Sequence, residues 1–155
     1  MQHERTKDMP DLSLENTRRI IRSISFLEKH RRRYLNEHLR ISHLHGAMPS
    51  ALLFLNRHPG CNQDTLCEEL TADKGNGARM CRQLEKLGYI KRIQSVTDRR
   101  EYNLYLTEQG EEVIPEILNI VRQWRMIVMK NMTDEENAQL LELLTKMCDN
   151  VNNAV

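Results

Sequence analysis

Aromatic residues are scarce in this chain of 155 residues, with one Trp, two Phe and four Tyr. Long apolar runs are missing as well. The longest, Ala51-Leu52-Leu53-Phe54-Leu55, falls far short of the roughly 20 residues that a membrane-spanning helix needs. The opening stretch, Met1-Gln2-His3-Glu4-Arg5-Thr6-Lys7-Asp8, is too charged for a signal peptide, so a cytoplasmic protein with no membrane partner is expected. There is no phosphate-binding glycine loop, no nucleophile elbow and no definable acid–base set, which argues against an enzyme. Four cysteines are present and none forms a C-x-x-C pair, so reduced thiols are expected. Cys67, Cys81 and Cys148 lie among aliphatic residues and read as small core residues. Cys61 directly precedes a helix start, where the helix dipole would lower its pKa and favour a redox role.

Metal ligation finds equally little support. The six histidines (His3, His30, His38, His43, His45 and His58) all precede residue 60. The His43-Leu44-His45 spacing brings both rings together only on an extended chain, and no set of three or four converging ligands can be drawn. Neither a metal nor a cofactor is expected.

What is present is a well-mixed globular composition, 39% apolar and 29% charged, sufficient for one domain without disulfide or metal staples. The net charge of +1 hides an uneven distribution: residues 1–100 carry +7 and residues 101–155 carry −6. Such asymmetry suggests that one part meets a polyanion and the other does not, against the plainer account of charge drifting along a helical chain.

Apolar spacing predicts helices with one interruption. Ser13 to Arg40 reads as a long basic helix, with Ile20, Ile24, Leu27 and Leu35 on its seam. Pro49 suits the first turn of a second helix running through Phe54 and Leu55. Asn62 is an N-cap for a short third helix, and Asp73 for a fourth from Lys74 to Leu87, which Gly88 ends. In that fourth helix Gly77, Met80, Cys81, Leu84 and Leu87 share one face, while Asn76, Arg79, Arg82, Gln83 and Lys86 occupy the rest. Two helices joined by a three-residue turn, the second with a basic outer face, form the helix-turn-helix pattern.

Strand-like alternation follows at Tyr89–Gln94 and Glu101–Leu106, joined by a polar segment ending in Arg99-Arg100. A hairpin directly after such a helix, with arginines at its tip, is a wing. Thr107 then caps a long helix whose stripe is Val113, Ile117, Ile120, Val121, Trp124 and Val128, with Pro115 expected to bend it or mark its true start. Thr133-Asp134-Glu135-Glu136 is a capping box opening a last helix with Leu140, Leu141, Leu144, Met147, Cys148 and Val151.

The stretch from Asn62 to Gly110 resembles the winged helix-turn-helix of the multiple-antibiotic-resistance regulator (MarR) family. The likeness rests on Asp73-Lys74, Arg79, the run Leu84-Glu85-Lys86-Leu87-Gly88-Tyr89-Ile90, Asp98-Arg99-Arg100, and Leu106-Thr107-Glu108-Gln109-Gly110 in this order and spacing. It implies a mainly α fold of five to six helices plus a two-stranded wing. Residues 1–155 would form one domain, with a DNA-binding part at 46–110 and helical dimerisation parts at 11–42 and 111–155. It further implies a homodimeric regulator of transcription, most simply a ligand-responsive repressor, that binds a pseudo-palindromic double-stranded operator.

Lys74, Gly75, Asn76, Arg79, Arg82, Gln83, Asp98, Arg99 and Arg100 are the DNA-binding candidates. Arg79 can bond guanine O6 and N7 in the major groove. Arg100 would enter a narrow minor groove, and Asp98 would orient a neighbouring arginine. Ile20, Ile24, Leu140, Leu141, Leu144 and Met147 are the dimerisation candidates. A small aromatic or amphipathic anionic effector would use Phe26, Tyr34, Phe54 and Trp124, unless these are plain core. The family's zinc and peroxide sensors carry ligands and a cysteine that have no counterpart here. One departure stands out: Gly75-Asn76-Gly77-Ala78 follows Asp73-Lys74, and two glycines there cost about 1 kcal/mol each relative to alanine. They would let the backbone approach phosphates, or leave the turn loose until DNA orders it. The alternative function is a winged-helix protein–protein adaptor without specific DNA binding, although such an adaptor needs no wing-tip arginine pair.

Overall fold

A computed structural model describes residues 12–40, 42–96 and 101–154. Six helices and one hairpin follow in the order α1 (Leu12–His38), α2 (Met48–Arg57), α3 (Gln63–Glu69), α4 (Lys74–Lys86), β1 (Ile90–Gln94), β2 (Tyr102–Leu106), α5 (Glu108–Val128) and α6 (Asp134–Asn152). This is the mainly α, winged helix-turn-helix arrangement. The expected boundaries hold to within a few residues, and four of the helices carry their start signals in capping side chains. Asn62 Oδ1 accepts from the Thr65 amide at 2.9 Å, and Asp73 Oδ1 accepts from the Asn76 amide at 2.8 Å. Thr107 Oγ1 accepts from the Gly110 amide at 3.1 Å, and Thr133 and Glu136 form a reciprocal capping box.

The end of α4 is set with the same economy. Gly88, at φ 82°, takes the left-handed conformation that closes a helix, with the Tyr89 amide bonded to Leu84 O and the Gly88 amide to Glu85 O. The chain thus reverses directly into β1. Strands β1 and β2 pair antiparallel, with Ile90 opposite Leu106 and Gln94 opposite Tyr102. A third segment joins them, which sequence alternation did not reveal. The Gly60 amide donates to Leu104 O, the Leu104 amide donates to Cys61 O, and Asn62 bridges Asn103. The wing is thereby stitched to the start of α3.

Two compact units divide the chain after Ile117. The first has a core of Leu39, Leu44, Leu52, Leu55, Leu66, Leu84, Leu104 and Ile117, all almost fully buried. The second holds the C-terminal part of α5 and all of α6, in which no residue is buried. Helix α5 runs from Glu108 straight through Pro115, so this proline does not mark its start. At this eighth position of the helix the ring removes one intrahelical hydrogen bond, at a cost of about 3 kcal/mol.

Three cysteine expectations change or sharpen. Cys67 and Cys81 are buried as expected, but Cys148 lies exposed on α6 and is no core residue. Burial pushes the Cys61 thiol above its ordinary value, the reverse of activation by a helix dipole. Cys81, more deeply placed, is pushed up to about 11 by the same desolvation.

The second glycine of α4 has a packing cause. A Cβ on Gly77 would lie 2.0 Å from Cys67 Sγ, far inside any allowed contact. Gly77 therefore serves the close approach of α3 and α4, not an approach to phosphate. Cys67 is buried and its sulfur is one bond from Cβ, so it has little room to withdraw. Gly77→Ala should lower stability by about 1–3 kcal/mol through overpacking. Adding Cys67→Ala should recover much of that loss, and a double-mutant cycle by denaturant unfolding reads the coupling. Strictly additive losses would show that the two side chains do not meet.

Candidate nucleic-acid interface

Helix α4 is held from behind and left free in front. Gly77, Met80, Cys81 and Leu84 are buried against the first unit's core. At 100° per residue, Gly75, Arg79, Arg82 and Lys86 fall on the opposite side, a strip of about 16 Å. Asn76 and Gln83 flank it on one edge, and all six are exposed. Among the described residues, the side chains of Arg79, Arg82, Gln83 and Lys86 make no hydrogen bond or ion pair. Three cations thus stand in line on one helix face with no side-chain partner among the described residues.

The start of α4 is committed differently. Asp73 accepts from the Asn76 backbone amide, and the Asn76 side-chain amide donates to its second oxygen. Those bonds, the backbone one foremost, hold its carboxyl below the ordinary range. Lys74 Nζ donates to Asp64 Oδ2 of α3 at 2.9 Å, which raises the lysine's pKa and ties the two helices together. Asn76 and Lys74 therefore already serve the helix-turn-helix, whereas Arg79 and Arg82 do not. At Gly75 a Cβ would meet Asp73 Oδ1 at 3.3 Å, a tight contact that the capping carboxylate would have to yield to slightly.

At the other end, Arg92 on β1 places Nε 3.2 Å from Glu85 Oε2, an ion pair that braces the hairpin against α4. The carboxylate lies off the N–H axis. Arg92 Nε and Nη2 are both buried and make no hydrogen bond among the described residues. Sequence reading missed this arginine, because a basic residue in a strand gives no sign of which helix it reaches. The wing-tip residues Asp98, Arg99 and Arg100 lie outside the described residues.

The remaining candidates do not converge. Phe26 and Tyr34 stack on His30 and His38 one turn further along α1, each pair with ring centroids 3.9 Å apart, and Phe26 is 58% exposed. Of the four, Phe54 lines a cleft of about 870 Å³ bounded by α1, α2 and α4, in company with Arg31, Arg57 and Arg79 and with the carboxylates of Glu28, Glu69 and Asp73. Trp124 belongs to the second unit and is half-buried. Of the dimerisation candidates, Ile20, Ile24, Leu140 and Leu141 are exposed, the last at 67%, whereas Leu144 and Met147 are half-buried. Among the described residues no cluster of three or more His, Cys, Asp or Glu side chains could hold a metal, and no helix is long and apolar enough to cross a membrane.

Known proteins share this arrangement. The MarR family model matches residues 50–102. The transcriptional regulator BilQ of Clostridioides difficile (strain CD3) is 30% identical over 118 residues, spanning 76% of this chain and 80% of its own. A MarR transcriptional regulator from Methanosarcina mazei superposes with a TM-score of 0.80 at 28% identity, covering 88% of this chain and 98% of that one. A mutant MarR from E. coli, solved in complex with operator DNA, superposes with a TM-score of 0.74 at 26% identity over 81% of this chain and 91% of that one. With helix-turn-helix, wing and flanking helices in the same order and at this level of identity, the chain belongs to the MarR family.

Proposed function

We propose that this protein is a regulator of transcription that binds double-stranded DNA as a homodimer, reading a pseudo-palindromic operator with α4 of each protomer. The observation that carries this reading is the unpartnered strip Arg79–Arg82–Lys86 on a helix whose back is locked into the core. Uncommitted guanidinium groups on a rigid helix match the acceptor pattern of guanine in the major groove. A catalyst would need a converging acid, base or nucleophile, and an adaptor would gain nothing from a row of cations without ion pairs among the described residues. The operator complex of the E. coli relative supports the same reading.

Dimerisation is supported by apolar surface that one protomer leaves uncovered. Ile20, Ile21, Ile24 and Leu27 of α1 and Leu140, Leu141 and Leu143 of α6 are all exposed. The two helices also carry opposite charge: α1 has seven Lys or Arg against three Glu, and α6 has one Lys against five Asp or Glu. Association of two copies would bury the apolar residues and bring these charges together, at about 1.5–3 kcal/mol per fully buried leucine. An effector, a small aromatic anion, would enter the cleft beside Phe54 and act by binding one dimer spacing more tightly than the other. Repression is the simplest consequence of occupying an operator.

Arg79→Ala should weaken binding to a selected operator by about 1–3 kcal/mol and relax base preference inside each half-site. Lys74→Ala, which removes a residue already paired within the protein, should weaken binding less and without change in preference. Arg79→Ala binding as tightly and as selectively as the parent would hand the case to the adaptor reading. Leu141→Asp should convert the dimer to monomers in sedimentation and abolish operator binding with it. A folded, monomeric parent at micromolar concentration would contradict the dimer.

A further inference from the structure

One groove beside α4 gathers cations that the strip on α4 does not explain. Within the first unit, the end of α1 and the loop at 42–46 run along the last turn of α4 and enclose about 580 Å³. Its lining includes Arg40, His43, His45 and Lys86, and not one acidic side chain. Among the described residues none of these four side chains makes a hydrogen bond or ion pair. The neighbouring arginines of α1 differ, since Arg31 and Arg32 are held by Glu28 and Arg33 by Glu37.

The loop that presents the histidines is fixed by its own bonds. The His43 amide donates to Arg40 O at 3.2 Å, the Gly46 amide to Asn36 Oδ1 at 2.9 Å, and the Met48 amide to His45 O at 3.1 Å. His43 and Gly46 both sit in the left-handed region, at φ 56° and 60°. The turn this creates places both imidazoles on one groove without the extended chain that their spacing suggested. Beneath them lie Leu44 and Met48, both almost fully buried. Helix α2 begins at Met48, with no side-chain cap and no acidic residue in its first turn.

We propose that this groove is a phosphate-binding site, taking either a backbone phosphate of bound duplex DNA or a free phosphate compound. Two permanent cations and no carboxylate repel a metal ion from the histidines. A cationic rim without a carboxylate matches a phosphate, whose oxygens take the N–H donors. Position favours the DNA source. Lys86 lies on both the strip and the groove, and Gln83 borders both, so the groove is the flank of α4. A helix seated in a major groove about 12 Å wide has a phosphate strand on each flank. The DNA form rests on the function proposed above; the free-phosphate form does not.

The test uses the full-length protein and a duplex selected by the parent from a random-sequence pool. Arg40→Gln keeps the side-chain stem, and His43→Asn keeps a residue that tolerates the left-handed backbone; both should melt like the parent. The slope of log affinity against log salt should become shallower by about one per half-site in Arg40→Gln, and both variants should bind more weakly with base preference unchanged. In a second arm, inorganic phosphate is titrated without DNA while the imidazole proton resonances of His43 and His45 are followed, with chloride at equal ionic strength as control. A shallower slope places the backbone phosphate in the groove. An unchanged slope with saturable, phosphate-specific shifts assigns it to a free phosphate compound. Parent-like slopes together with no phosphate-specific shift overturn the site. If the parent binds no duplex, the regulator reading fails, and the phosphate titration alone decides the groove.

Discussion

The sulfur of Cys67 against the bare Cα of Gly77 sets how closely α3 and α4 can lie, and the rest of the site depends on that separation. With α4 drawn in, Lys74 reaches Asp64 and locks the two helices at their open end. Arg92 reaches Glu85 and braces the hairpin against the far end. The same rotation that buries Gly77, Met80, Cys81 and Leu84 turns Arg79, Arg82 and Lys86 outward. A bulkier residue at 77 would lift the helix and loosen both ties. The glycine is costly for helix propensity, and the contact it permits offsets that cost.

Much of this architecture was legible because it is encoded locally. Asn62, Asp73, Thr107 and Thr133 each cap a helix through bonds spanning three residues, which short-range patterns carry. The alternation of Tyr102, Leu104 and Leu106 announced β2, and Gly88 announced the reversal before β1. Spacing alone separated the buried face of α4 from the exposed one. What escaped was non-local. No periodicity shows that Gly77 meets Cys67 ten residues earlier, that Lys74 is spent on Asp64, or that Gly60 and Cys61 extend the wing's sheet. The exposure of Cys148 was missed for a related reason: an apolar stripe indicates a face, and its partner is not specified by the stripe.

Charge organises the molecule's outward chemistry. The chain is nearly neutral overall, yet α4, the end of α1 and the 42–46 loop present Arg79, Arg82, Lys86, Arg40, His43 and His45 without side-chain partners among the described residues. On α1, Arg31, Arg32 and Arg33 are matched by Glu28 and Glu37, whereas Arg18, Arg19, Arg22 and Lys29 make no ion pair among the described residues. Unpaired cations are what a polyanion-binding surface requires, since paired cations release few counterions on binding. The acidic α6 stays apart from this surface in sequence and in composition.

The central claim is that the α4 strip reads base edges in the major groove, and methylation interference measures this most directly. Guanine N7 lies in the major groove and adenine N3 in the minor groove, so one reagent reports both. The account predicts that N7 methylation at guanines in two half-sites, about 34 Å apart along the duplex, blocks binding of the parent protein. Binding that tolerates every N7 methylation, or that is sensitive in a single half-site alone, would contradict it.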